Sequence, residues 1–188
     1  PAQYPDGRGE GLNMFIEPNA RGISNTVANP ATLSAAPGRS RVSDMLWQWG
    51  QFMDHDIGLT EGHDEEFTIT SPGCMNGDLI CEIPFQRAIH HFTNGVREQL
   101  NEITGFLDAS MVYGHTDERA AALRAFSAGR MKMTSEGLLP PNPTGLANAL
   151  PSGFDDSDLF LGGDIRVNEQ IGLIAIHTLM VREHNRLA

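Results

Sequence analysis

A chain of 188 residues with 40% hydrophobic and 20% charged side chains can build one core, or part of a larger one. Its 24 acidic and 13 basic residues leave a formal net charge of −11, which opposes the counterion release that drives binding to nucleic acid and anionic membranes. No apolar run approaches the roughly 20 residues that a bilayer crossing needs, so a soluble chain with no membrane span and no nucleic-acid partner is expected.

The opening PAQYPDGRGE lacks the basic and apolar regions of a signal peptide. A chain that begins at Pro1 fits either a removed secretory leader or a sequence that simply starts late, and both readings stand. Residues 1–40 are rich in proline, glycine and small polar residues and carry no sustained period of 2 or 3.6, which reads as an extended arm lying over a surface.

From Val42 the pattern changes. Val42, Met45, Leu46, Trp49, Phe52 and Met53 recur at helical spacing, and Gly58 stands where a helix C-terminus would be capped. At about 100° per residue these apolar residues share one side, while Gln48, Gln51, Asp54 and His55 fall on the other. A surface helix would carry Lys, Glu and Arg there, yet no charge lies between Asp44 and Asp54. The side bearing Gln51 and His55 is therefore expected to face a cavity or cofactor. The plain alternative is a core histidine satisfied by hydrogen bonds, with Asp54 and Asp56 merely ending the helix.

Cys74 and Cys81 are the only cysteines. The turn residues Asn76 and Gly77 between them could bring the sulfurs together, so a disulfide is expected, with two free thiols as the alternative. A lone pair at this spacing is a poor zinc site. A second helical stretch is expected from about Pro84 or Val96 to Ile103, interrupted near Gly95, and a third in TDERAAALRAF, where Thr116 is a plausible N-cap followed by acidic residues.

Between them, TGFLDASMVYG offers oxygen at alternate positions: the side chains of Thr104, Asp108 and Ser110, with the Phe106 carbonyl among them. An extended loop sends alternate side chains the same way, so the set could converge on a hard cation such as Ca²⁺. Asp108 is the sole anion in the loop, and Asp56 is a candidate second carboxylate. The alternative is an ordinary turn.

GRMKMTSEGLLPPNP reads as a short hairpin, followed by coil through DDSD. The last helix is expected from near Asp164. Its QIGLIAIHTLMV segment is apolar nearly all round, the mark of a helix buried in a core. Arg166 and Glu169 would sit one turn apart at its start, where the plain reading is an i,i+3 ion pair. His177 and His184, seven apart, read as core or interface polar groups. REHNRLA ends the chain with no capping glycine or proline, so the polypeptide is expected to be a piece of something longer.

Taken together, WGQFMDHD, TGFLDASMVYG, GGDIRVNE and HTLMVREHNRLA, in that order over roughly residues 41–188, resemble the animal-type haem peroxidases, the family of myeloperoxidase, lactoperoxidase, thyroid peroxidase and peroxidasin. The resemblance implies a mainly α fold with little β structure, present as the distal, N-terminal part of a helical haem peroxidase domain, with residues 1–40 as an arm before it. It implies that His55 is the distal histidine above the haem iron, that Gln51 helps bind water or halide, and that Arg166 is the distal arginine. Asp54 and Glu169 would form ester links to haem b, and Asp56 would join Thr104, Phe106, Asp108 and Ser110 around Ca²⁺. The expected reaction reduces hydrogen peroxide and oxidises halide, thiocyanate or small aromatic donors, in a secreted, extracellular protein.

Three departures qualify the match. Gln170 follows Glu169 where myeloperoxidase has a methionine that makes a third haem link, so that link is not expected. Two cysteines are fewer than vertebrate members carry. The family's proximal histidine lies beyond HTLMVREHNRLA, and His90 and His91 come too early to match it, so a second polypeptide fragment carrying that histidine is expected as partner. A fatty-acid dioxygenase of the same superfamily is the competing enzyme, and a non-catalytic, calcium-dependent matrix or adhesion module the competing non-enzyme.

Overall fold

The computed structural model describes residues 20–28, 43–70, 82–149 and 153–188. Cys74 and Cys81 lie outside the described residues, as does most of the 1–40 arm. The chain divides into two compact units, one of residues 1–41 with 60–100, the other of 42–59 with 101–188.

In the first unit, Ala20–Val27 forms helix α1, inside the stretch expected to run as an extended arm. Strands β1 (Gly62–Thr70) and β2 (Glu82–Ala88) pair antiparallel, with an irregularity between Gly62 and Glu66. Strands β3 (His90–Thr93) and β4 (Val96–Gln99) form a hairpin pairing Thr93 with Val96 and His90 with Gln99. The helix expected from about Pro84 or Val96 to Ile103 is thus replaced by strands. Its connecting turn explains why: Asn94 and Gly95 both adopt positive φ, 53° and 78°, as a two-residue type I′ hairpin turn requires. The interruption noticed at Gly95 is that turn.

The second unit is mainly helical, the class expected from the sequence. Helix α2 spans Met45–Asp54. Helices α3 (Ser110–Tyr113) and α4 (Asp117–Leu123) follow. A 3₁₀ turn at Asp156–Asp158 precedes the long helix α5, Ile171–Leu187. Helix α4 begins as its sequence requires, with the Thr116 hydroxyl accepting the Arg119 N–H at 3.2 Å and Asp117 and Glu118 in the first turn. Helix α5 starts later than expected. Residues 165–168 form a turn, and Gln170 caps the helix by accepting the Gly172 N–H at 2.8 Å. The expected hairpin in GRMKMTSEGLLPPNP is absent as paired strands among the described residues. The segment makes isolated bridges instead, Arg124 with Met131 and Pro141 with Phe160.

The core gathers Phe52 of α2, Met111 and Val112 of α3, Leu123 of α4, and Leu173, Ile176 and Val181 of α5, with Met131, Leu139, Leu161 and Val167 from the connections. Burying each large apolar side chain is worth about 1.5–3 kcal/mol. Two expectations about helix faces are corrected here. Of the apolar set on α2, only Phe52 is buried, and Met45, Leu46 and Trp49 are exposed together with Trp47. On α5 the apolar residues are not covered all round: Leu173, Ile176 and Val181 are buried, but Ile171 is 85% exposed and Leu179 and Leu187 are also open.

Gly163 lets two connections meet. A side chain at this position would place its Cβ 2.5 Å from the Met111 carbonyl oxygen and 2.7 Å from the Gly114 nitrogen. The GGD sequence before Arg166 is therefore tied to the backbone at the end of α3, and Asp164 and Arg166 are aimed from that fixed point.

Candidate active site

Helix α2 hands its chain to a turn at residues 55–57, and neighbouring side chains there serve two different groups. His55 is the residue that follows the last helical position, 4% exposed. Its outer nitrogen, Nε2, lies 3.9 Å from Glu169 Oε2. That same Glu169 oxygen accepts a 2.7 Å hydrogen bond from Gln51 Nε2, one turn earlier on α2. The Gln51 Oε1 in turn accepts from Gln170 Nε2 at 3.0 Å, and Gln170 also donates to Gln48. Gln48, Gln51 and His55 thus line one side of α2 and meet the turn before α5. Asp54 is exposed at the end of α2 and acts on His55 only through its charge.

Arg166 approaches from the other side. Its Nε and Nη2 donate to the two oxygens of Asp164 at 2.8 and 2.7 Å, its Nη1 to the Gly58 carbonyl at 2.8 Å, and its Nη2 to the His55 carbonyl at 3.2 Å. The i,i+3 ion pair of Arg166 with Glu169, the plain alternative, is not made. Asp164, 1% exposed, takes the guanidinium in a bidentate pair, and Glu169 is left to Gln51. The clamp ties the backbone on both sides of the turn that carries His55. Asp164, Gln170 and Gln48 were not singled out from the sequence as site residues. Asp164 stands inside the GGDIRVNE motif, two residues before Arg166, and that adjacency was the available signal.

The electrostatics follow from this packing. Burial, and then the Arg166 charge, hold His55 below the ordinary histidine range, against the smaller opposing pull of Asp164 and Asp54. Burial pushes Glu169 up. Burial acts to raise Asp164 as well, but its hydrogen bonds with Arg166 and the charge of that group carry it below the usual carboxylate range. The site therefore holds a neutral imidazole beside a fixed cation, with a partly exposed carboxylate, held by the Gln51 amide, 3.9 Å from its outer nitrogen. That donor set can bind a small peroxide-like molecule and move a proton, and it suits the face of a haem, whose edge the Asp54 and Glu169 carboxylates could engage.

Asp56, the next residue, turns the opposite way and is 2% exposed. Its Oδ2 accepts the Ala109 N–H at 3.1 Å and its Oδ1 the Ser110 hydroxyl at 3.3 Å. Asp108 Oδ1 accepts the Ser110 N–H at 3.0 Å, and Thr104 Oγ1 lies 3.3 Å from Ser110 Oγ. Phe106 sits within the loop, its N–H directed at Thr104 Oγ1 at 3.4 Å, with its ring exposed. The structure thus brings Asp56, Thr104, Asp108 and Ser110 together. Ala109 between them holds a left-handed conformation, φ 61°, which costs a non-glycine residue about 1 kcal/mol. Two carboxylates and two hydroxyls gathered about Ser110 are of the oxygen-donor type that suits a hard cation such as Ca²⁺.

Comparison with known proteins bears on the family. The family model for the animal haem peroxidase matches residues 1–188. The chain is 34% identical to lactoperoxidase of Mesocricetus auratus over all of its own length and 32% of that protein. It is 31% identical to the peroxidasin homolog pxn-2 of Caenorhabditis elegans, over 96% of this chain and 17% of the relative. Among solved structures it resembles peroxidase A from Dictyostelium discoideum, with a TM-score of 0.72 and 27% identity, over 93% of this chain and 38% of that one. The chain thus spans well under half the length of the relatives it matches. A family model that fits every residue, on a fold that brings the four expected motifs into one unit, shows that this chain belongs to the animal haem peroxidase family.

Proposed function

We propose that this chain supplies the distal side of the haem pocket in a hydrogen peroxide-dependent oxidoreductase. The observation that carries the reading is the state and aim of His55: an imidazole kept neutral by burial and by Arg166, with Nε2 turned to the Glu169–Gln51 side. Haem b would hold the oxidising equivalents drawn from peroxide. The rest of the work falls to this chain. His55 Nε2 takes the proton from one peroxide oxygen and returns it to the other, a transfer worth about 10²–10⁴ in rate when positioned. Gln51 orients the peroxide or a halide beside it. Arg166, clamped by Asp164, presents a fixed charge to the departing oxygen without any rearrangement at the moment of reaction.

Asp54 and Glu169 are the residues proposed to form ester links to haem methyl groups, each link replacing one methyl C–H bond with hydrogen peroxide as the two-electron oxidant, and pigment that acidic acetone readily extracts would count against them. Asp56, Thr104, the Phe106 carbonyl, Asp108 and Ser110 are proposed to bind Ca²⁺. The iron's proximal histidine would come from polypeptide outside this chain, the electron donor would be halide, thiocyanate or a small aromatic molecule, and the protein would act outside the cell.

The test is His55→Ala in the full-length, haem-loaded protein. Its bimolecular rate with hydrogen peroxide is expected to fall by about 10²–10⁴-fold with the absorption spectrum of the bound haem retained. An unchanged rate would refute the reading.

A further inference from the structure

Among the described residues, three buried ring nitrogens have no hydrogen-bond partner: Nδ1 of His55 and both nitrogens of His177. His177 is wholly enclosed, 0% exposed, in the middle of the uncharged part of α5. Its ring meets the Phe52 ring edge-on, at 5.1 Å between centroids and 81° between planes. Phe52 stands three residues before His55, so the two lie on neighbouring positions of α2 and its following turn. The charges of Asp164, His55 and Arg166 all act on His177, which puts it within reach of the cluster that governs the active site.

A neutral imidazole carries one N–H donor and one acceptor lone pair. In a closed interior neither is cheaply left unmade. The contact with Phe52 can occupy an N–H weakly, but it offers nothing to the lone pair. Leucine or phenylalanine would fill the same space among Leu173, Ile176 and Val181 without that penalty, so simple packing does not account for a histidine here. Across the same interior, the inner nitrogen of His55 is also without a protein partner. A buried water needs two to four polar partners, and His177, His55 Nδ1 and the Asp164 carboxylate make up such a set.

We propose that His177 is a positioning residue: through a buried water it engages Nδ1 of His55, fixing which nitrogen of that ring carries the proton and keeping Nε2 directed to the Glu169–Gln51 side. In histidine the hydrogen bond made by one nitrogen sets the protonation and direction of the other. The inference rests on the reading of His55 as the proton-transfer group. It assigns His177 no contact with peroxide or haem.

The test uses the full-length, haem-loaded protein. A crystal structure that resolves ordered solvent is expected to show one water within hydrogen-bond distance of both His55 Nδ1 and a His177 nitrogen. His177→Leu is expected to let the His55 ring rotate in its crystal structure and to slow the reaction with peroxide by about 10- to 100-fold, the usual cost of losing an outer partner. His177→Gln, which can still hold a water, is expected to recover most of the rate. A wild-type structure with no bridging water overturns the proposal, and it decides the matter even where the leucine variant fails to fold. An unmoved His55 ring and an unchanged rate in His177→Leu overturn it as well. If His55→Ala slows the reaction and His177→Leu does not, this proposal alone has failed. If His55→Ala is without effect, the reading of the site beneath it has failed.

Discussion

Arg166 shows how little spacing alone says about a residue's partner. Its place one turn before Glu169 suggested an ion pair along a helix, but the segment is a turn, and Asp164 two residues earlier offers both oxygens in a closed position. Backbone geometry decided the pairing, and periodicity carries no information about a turn. His55 and Gln51 stood out because α2 is uncharged where a surface helix would be charged, and the roles proposed for them come from the family resemblance. His177 was legible as a core residue, and it is one. Its ring also gives the clearest dependence on pH. Burial lowers its pKa from 6.5 to about 4. The unfolded chain therefore binds a proton between those values that the folded one refuses, so stability is full above pH 6.5 and declines as pH falls toward 4. The loss should reach about 3 kcal/mol. His55, also lowered, adds in the same direction, and Asp164 takes over as pH falls further through the carboxylate range. Glu169, raised by burial, works against them above its unfolded value. Urea unfolding of the full-length protein from pH 7 to pH 4 should show this decline, and His177→Leu should remove most of its upper part.

At the scale of elements, local residues announced a helix start and a hairpin turn, and only the first is met by the reading of the sequence. Thr116 with two acids behind it predicted the start of α4, and the structure caps it there. The β3–β4 hairpin was missed although its signal was present: in HHFTNGVREQ the pair Asn94–Gly95 is the strongest short hairpin sequence, outweighed in the reading by residues on either side that also fit a helix. The late start of α5 was missed because the Gly163 contact that holds residues 162–169 out of the helix is made with α3, about fifty positions earlier in the chain. That contact gives a sharp prediction. Gly163→Ala would drive a methyl group into backbone atoms of Met111, Val112 and Gly114, where no flexible side chain can yield. We expect a loss of about 3 kcal/mol or more, seen as a lower denaturation midpoint. Peroxide turnover should fall with it, since Asp164 and Arg166 are aimed from the same place. Wild-type stability in this variant would mean the two connections are not so closely apposed.

At the scale of the whole molecule, the pattern of apolar exposure agrees with a chain that spans 14% to 38% of the relatives it matches. Helices α2, α4 and α5 stand where the sequence suggested helices, but their covered faces were not legible, because sequence periodicity tells which residues are apolar and not which neighbour is at hand to cover them. Ile171, Leu179, Trp47 and Leu46 are open in this chain. The adjacency of His55 and Asp56 links the two groups of site residues. Asp56 fastens the turn to the 104–110 loop, so a cation held there would set the position of the histidine beside it. Removing calcium from the full-length protein with EDTA should therefore lower the melting temperature and peroxide turnover together, and restored calcium should return both. Full turnover in the chelated protein would separate the two groups and count against the calcium assignment.

The exposed tryptophans of α2 have a practical consequence. Trp47 and Trp49 are the only two in the chain, both lie in Met45–Asp54, and Trp49 stacks obliquely near Phe52 at 5.5 Å. Tryptophan emission, excited selectively over the two tyrosines, is consequently a reporter on one helix, the one that delivers the histidine, and its colour and intensity would register wetting or shielding of that single segment.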